Sequence, residues 1–121
     1  MQVAISPQAT VTLDGSGNGQ CSLTPPSGTM WQLALAAVST TSVTNASKAF
    51  LYLGNSNGPL TLVDSTFLGN SASSGKVAGA PFYHGSYLWA VWTGGDPGAL
   101  ATLQVYGIQV TGYRSTQAAP S

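Results

Sequence analysis

Ala101-Thr102-Leu103-Gln104-Val105-Tyr106-Gly107-Ile108-Gln109-Val110 is the stretch on which the fold class turns. Apolar residues at 101, 103 and 105 alternate with Thr102, Gln104 and Tyr106, the period of a strand with one buried face. At Gly107 the phase slips by one, and Ile108 and Val110 carry the apolar pattern onward. Glycine at such a slip marks a bulge that bends the strand or passes it between sheets. Just upstream, Thr93-Gly94-Gly95-Asp96-Pro97-Gly98 is a sharp turn. Ser86 to Trp92, before it, is a strongly aromatic strand.

The same period runs back to the N-terminus. Ala9, Val11 and Leu13 alternate with Gln8, Thr10 and Thr12, and the turn Asp14-Gly15-Ser16-Gly17-Asn18-Gly19 leads to Gln20–Thr24, with Cys21 and Leu23 on one face. The two segments read as a hairpin. Trp31 to Ser39 is apolar at both parities, Trp31, Leu33, Leu35 and Ala37 on one and Ala34, Ala36 and Val38 on the other, as in a strand covered on both sides. A buried helix is the rival reading there, because Ala and Leu favour helix. Lys48 to Gly54 and Leu60 to Val63 read as strands, Gly69 to Gly75 as a polar loop, Lys76 to Ala78 as a short edge strand and Pro81 to Gly85 as a loop.

Short strands with turn signals about every ten residues and no convincing helix predict an all-β fold. The expected architecture is a single antiparallel β-sandwich, jelly-roll-like or another Greek-key arrangement. The expected core is Val11, Leu13, Trp31, Leu33, Leu35, Leu51, Leu53, Trp89, Val91, Leu103 and Val105, with Trp92 capping its end. Residues 1–7 form an N-terminal arm, 8–113 the sandwich domain and 114–121 a polar tail. Val3 and Ile5 alternate with polar or small neighbours, so the arm is a candidate docking strand for an exposed sheet edge. Arg114 and the tail are a second candidate.

Charge bounds the function. Only Asp14, Lys48, Asp64, Lys76, Asp96 and Arg114 carry a fixed charge, 5% of the chain, with a formal net charge of zero. About a quarter of the residues of an ordinary soluble domain are charged. A surface this neutral repels its neighbours weakly and favours association. Three scattered basic residues cannot neutralise a nucleic-acid backbone or hold an anionic membrane, and no apolar run reaches the ~20 residues of a membrane helix. Cys21 is the only cysteine, which excludes a disulfide scaffold; it reads as a small buried hydrophobe. The start lacks the basic and apolar regions of a secretory signal, so assembly in a cytoplasm is expected.

Catalytic and metal readings are weak. Gly54-Asn55-Ser56-Asn57-Gly58 matches G-x-S-x-G, with Asp64 and His84 following in chain order, but a nucleophile elbow needs a strand-to-helix turn in a parallel sheet. One His, one Cys and dispersed Asp residues do not make a zinc site. Asp14-Gly15-Ser16-Gly17-Asn18 alternates oxygen ligands as calcium prefers, yet it lacks a second carboxylate. Asn45-Ala46-Ser47 is a formal sequon and reads as a polar loop. No catalytic residue, metal or cofactor is expected. Exposed Trp92 could stack on a sugar ring, but Trp89 and Trp92 have opposite parity and cannot form one platform on a regular strand.

Trp31 opening a central strand, Tyr52-Leu53-Gly54, Asp64-Ser65-Thr66, and above all Ala90-Val91-Trp92-Thr93-Gly94-Gly95-Asp96-Pro97-Gly98-Ala99 with Ala101-Thr102 resemble a group of small β-sandwich virion proteins of tailed bacteriophages that infect actinobacteria. The resemblance spans roughly Val11 to Gly107 and carries no functional residue. It implies a structural role, decorating the capsid or attached to the tail, without separating the two; the expectation is a non-enzymatic capsid decoration protein on the outer head surface that stabilises the shell. The expected partners are sister copies, as trimers because head lattices offer three-fold positions, and the major capsid protein; the expected location is the virion, assembled in the host bacterial cytoplasm. The alternative within the class is a minor tail or tail-fibre-associated protein. The alternative outside it is a carbohydrate-binding module for host adsorption.

Overall fold

The computed structural model describes residues 2–45, 47–68, 71–79 and 81–111, and every regular element in them is a strand. The strands are β1 (Gln2–Ile5), β2 (Gln8–Thr12), β3 (Gly19–Leu23), β4 (Thr29–Thr40), β5 (Lys48–Asn55), β6 (Gly58–Leu68), β7 (Ser71–Ser74), β8 (Pro81–Tyr83), β9 (Tyr87–Thr93) and β10 (Leu100–Thr111). No helix among the described residues is long and apolar enough to cross a membrane. Arg114 and the 114–121 tail lie outside the described residues, as does Ala46 of the sequon.

Two antiparallel sheets form the sandwich. In the six-stranded sheet, β10 and β4 are central; β1 and β2 share the edge beside β10, and β7 and β8 share the edge beside β4. The four-stranded sheet runs β3-β9-β5-β6. With each shared edge counted as one position, this is the strand order of a jelly roll. The chain crosses between sheets at six of its nine connections; β1–β2, β5–β6 and β7–β8 stay within one. Breaking the outer edges into short strands leaves no long template for foreign pairing on that sheet.

The core lies between the sheets. Leu13, Trp31, Leu33, Leu51, Leu103 and Val105 are buried there as the periodicity predicts, joined by Ala36, Val38, Ala49, Phe82, Leu88, Ala90 and Trp92. Val11 packs half-buried against it. Trp31 closes one end, its Nε1–H donating to Gln109 Oε1 at 2.9 Å.

Several expectations are corrected. Segments 8–13 and 19–24 do not pair: β2 joins β10 and β3 joins β9 in the opposite sheet. The Asp14–Asn18 turn is therefore a corner between sheets, with Leu13 buried at it. Hairpin and corner use the same turn chemistry, so the residues did not separate them. β4 is not covered on both sides. Its inward residues are Trp31 and Leu33, then Ala36 and Val38, while Leu35 and Ala37 are half-buried and Ala34 is exposed. Ala34 has no partner on β10, whose register steps from Tyr106↔Leu35 to Gly107↔Leu33. The bulge therefore sits on β4, and β10 keeps its parity: Gly107 and Gln109 face inward opposite Leu33 and Trp31, and Ile108 and Val110 face out. Lys76–Ala78 is a turn and not an edge strand, whereas Ser71–Ser74 and Pro81–Tyr83, read as loops, pair with β4.

The N-terminal arm is also resolved differently. Val3 and Ile5 lie on β1, which pairs with this chain's own β10 from Gln2↔Val110 to Ile5↔Gly107. β2 covers β10 only from Leu100 to Gln104, and β1 satisfies the ladder groups that remain. The sheet edge the arm was expected to seek elsewhere is in its own molecule.

Candidate functional site

The outward face of the four-stranded sheet gathers four aromatic residues that the core does not use, Tyr87, Trp89, Phe50 and Tyr52. Strand alternation places Tyr87, Trp89 and Val91 of β9 outward, because Leu88, Ala90 and Trp92 are buried. Phe50 and Tyr52 of β5 join them, because Ala49 and Leu51 are buried. The registers align these residues in rows. Gln20, Val91 and Phe50 form one, and Ser22, Trp89, Tyr52 and Leu62 form the next. The Tyr87 and Trp89 rings stack with centroids 6.4 Å apart and planes at 27°. The Trp89 Nε1–H donates to the Asn55 carbonyl at 2.9 Å, which fixes the indole over the β5–β6 end of the face.

A shallow open groove of about 410 Å³ continues this face toward the loop end, lined by Asp14, Asn18, Gly19, Gln20, Val91, Trp92 and Thr93. Asp14 Oδ1 accepts from the backbone N–H groups of Ser16 (2.8 Å) and Asn18 (3.0 Å). These two bonds, Asn18 first, hold the Asp14 carboxyl below its ordinary pKa. Asn18 Oδ1 accepts from the Gly94 N–H at 3.2 Å, tying this turn to the one after β9.

That second turn is organised by Asp96. Its Oδ2 accepts from the backbone N–H groups of Val43 (2.8 Å) and Thr44 (2.9 Å), and its Oδ1 from Asn45 (2.9 Å). The Asp96 N–H donates to Ser42 Oγ at 2.9 Å. One carboxylate thus holds a loop that carries Val43 at 85% exposure. The backbone bonds, Thr44 foremost, lower the Asp96 pKa from 3.8. A carboxyl depressed in the folded state contributes stability above its unfolded pKa and loses it as pH falls through the folded value. Asp96→Asn is therefore expected to melt below wild type at neutral pH, with the gap closing below about pH 4. Thermal melts of the pair at pH 7, 5 and 3 check this; a gap independent of pH would contradict the ionised cradle.

The residues of the G-x-S-x-G reading have other commitments. Ser56 is in the exposed β5–β6 turn. Asp64 Oδ2 accepts from Ser74 Oγ at 2.6 Å, and its Oδ1 lies 3.5 Å from Lys76 Nζ. His84 Nδ1 lies 3.0 Å from the Pro25 carbonyl and so carries its proton toward it. Among the described residues, no group of three or more His, Cys, Asp or Glu could hold a metal ion. Cys21 is half-buried on β3 with Sγ 3.6 Å from the Ala9 carbonyl of the other sheet. Burial pushes its thiol up to about 11, so it stays protonated and is a poor nucleophile.

The two tryptophans of β9 exchange their expected places. Trp92, the residue singled out for sugar contact, is 1% exposed in the core; Trp89 and Val91, assigned to the core, are on the outer face. Trp92 fits inside because its inward cross-strand neighbours are Gly19 and Ala49, which leave room for the indole. Leu35 is likewise outward. Leu53 has inward parity opposite Leu88 but is 38% exposed. The sandwich is open at that end, where Leu53, Gly54, Pro81, Phe82, Ser86 and Tyr87 line a cleft of about 140 Å³. No protein-family model matches the chain, and no curated protein matches it.

Proposed function

We propose that the chain is a non-enzymatic structural protein of a bacteriophage particle, a decoration protein that clads the outer surface of the head. The observation that carries the reading is the outward face of β4 and β10. The sequence of β4 has the apolar character of a strand covered on both sides, yet its own sandwich covers one. Leu35, Ala37, Ile108 and Val110 face out half-buried, and Leu100 and Tyr106 are 45% and 40% exposed. No strand of that sheet contains Asp, Glu, Lys, Arg or His. Such a face suits contact with sister subunits or a shell, since interface cores are depleted of charge.

The resemblance of the Trp92–Ala99 segment to small virion proteins supports the same reading. The jelly roll is used by capsid and lectin domains alike, so the fold by itself does not choose between them. The mechanism is clamping. At ~25 cal/mol per Å² of apolar burial, many repeated contacts oppose expansion of the lattice even after the cost of association. Trimers at three-fold positions of the head, assembled in the host cytoplasm, are the form proposed, with the major capsid protein as partner.

Imaging of intact particles tests this. The expected result is a copy number on the order of that of the shell subunits, with the charge-free sheet in contact. A few copies at the tail would favour the tail-associated reading. A single-subunit native mass, both free and on heads, would refute subunit clamping.

A further inference from the structure

We propose that the aromatic face of the four-stranded sheet is a binding site for a neutral polysaccharide, running along β9 from the Tyr87–Trp89 pair to the groove at Asp14. The seven residues of β9 extend ~20 Å, room for several sugar rings end to end. This site is independent of the particle-cladding role and uses the opposite sheet.

Three observations select a sugar chain over a protein surface. The Trp89 indole has its N–H engaged by Asn55 and is stacked on Tyr87. It is therefore pre-positioned, and what it offers a ligand is its ring face. An aromatic face is electron-rich, and the C–H face of a pyranose is its natural complement. Around the rings stand uncharged groups that donate and accept hydrogen bonds: Gln20, Ser22 and Tyr52. Asp14 then supplies a strong acceptor. Its Oδ1 is engaged by the turn, Oδ2 makes no hydrogen bond among the described residues, and Asp14 lines the groove. A carboxylate oxygen left open is costly against an apolar protein partner and well matched to sugar hydroxyls. At the loop end the charges are Asp14, Asp96 and Lys48, with Asp96 engaged by the backbone N–H groups of Val43, Thr44 and Asn45, so the face has no positive field to attract a polyanion.

Native gels cast with a β-glucan, a galactomannan or an arabinogalactan, and with polygalacturonate as the anionic comparison, test the site. The expected result is retardation by at least one neutral polymer. Trp89→Ala should weaken it ~10-fold or more, the loss of one aromatic stacking contact. Tyr87→Ser should weaken it too, and Val43→Ser, on the loop held by Asp96, should not. Trp31 and Trp92 are buried, so a ligand-induced change in tryptophan emission should vanish in Trp89→Phe. If Trp89→Ala does not fold, Tyr87→Ser and Trp89→Phe decide. Retardation only by polygalacturonate, retardation by none, or undiminished binding by these variants overturns the proposal. So does a fall in native mass in Trp89→Ala without glycan binding, which would make the face a contact between copies. None of these outcomes alters the copy number on particles.

Discussion

Trp92→Ala is expected to cost about 3–5 kcal/mol of folding stability, the usual range for emptying a buried tryptophan site. For a domain whose total stability is of order 5–15 kcal/mol, that is a large share. It corresponds to a fall in melting temperature of roughly 10–20 °C. Trp92 is 1% exposed and lies across from Gly19 on β3 and Ala49 on β5. Neither small neighbour can swing into the vacated volume, so the cavity term persists. Trp89→Ala is the matched control on the same strand. Its ring is half-exposed on the outer face, and the Asn55 carbonyl it satisfies lies at an exposed turn where water can replace the indole. That variant should lose about 1 kcal/mol. Denaturant unfolding of the two compares them directly. A larger loss in Trp89→Ala than in Trp92→Ala would mean that β9 presents its tryptophans with the opposite parity, and the outer face described above would not exist.

The reason that parity was hard to read is visible in β9 itself. Tyr87, Trp89 and Val91 alternate with Leu88, Ala90 and Trp92, so both sets are apolar and periodicity alone does not choose. A signal was present in the neighbour: β5 has Ala49 and Leu51 at one parity and Phe50 and Tyr52 at the other. In both strands an alanine and a leucine are inside, and the tyrosine, Tyr87 or Tyr52, is on the outer face, where a phenol's polar end can reach water. The strands of the sandwich were legible for a simpler reason, because alternation and glycine-rich turns are local. Pairing is not local. The Asp14–Asn18 turn has the same residues whether it returns a strand to its own sheet or passes it to the other, and the choice is made by the core on which Leu13 closes. The short strands β7 and β8 were missed because Ser71–Ser74 and Pro81–Tyr83 have no periodicity of their own; they pair because β4 leaves ladder groups open.

The scarcity of charge acquires a structural meaning from where the carboxylates sit. Asp14 and Asp96 hold turns at one end of the sandwich, and Asp64 ties β6 to Ser74 of the opposite sheet. Each accepts hydrogen bonds, those to Asp14 and Asp96 lowering their pKa, and among these three none stands beside another as an acid/base pair would. The chain spends its described carboxylates on connections and leaves its faces to aromatic and small polar groups. That division suits the two faces proposed above as binding surfaces.

Gly107→Ala is expected to destabilise the protein by about 3 kcal/mol, at the upper end of the range for overpacking. A Cβ at Gly107 would lie 2.2 Å from the Gln32 carbonyl oxygen and 2.8 Å from the Leu33 Cα. These are backbone atoms of the neighbouring strand, so no rotamer change relieves the clash and the two strands must part. They part beside the bulge at Ala34, where the register steps by one residue. The damage should be one-sided. Beyond Gly107, β10 carries the β1 pairing and the Trp31–Gln109 bond; before it, Ala101, Leu103 and Val105 are fully buried. Amide exchange should therefore accelerate at 108–110 and 2–5 well before 101–105. Gly15→Ala, where a Cβ meets nothing within 4 Å, should melt close to wild type. Uniform acceleration along β10 would show that the strand opens as one unit. A Gly107→Ala protein as stable as wild type would show that the glycine does not set the β4–β10 register. In that event the outward placement of Ile108 and Val110, on which the charge-free face depends, would have to be given up.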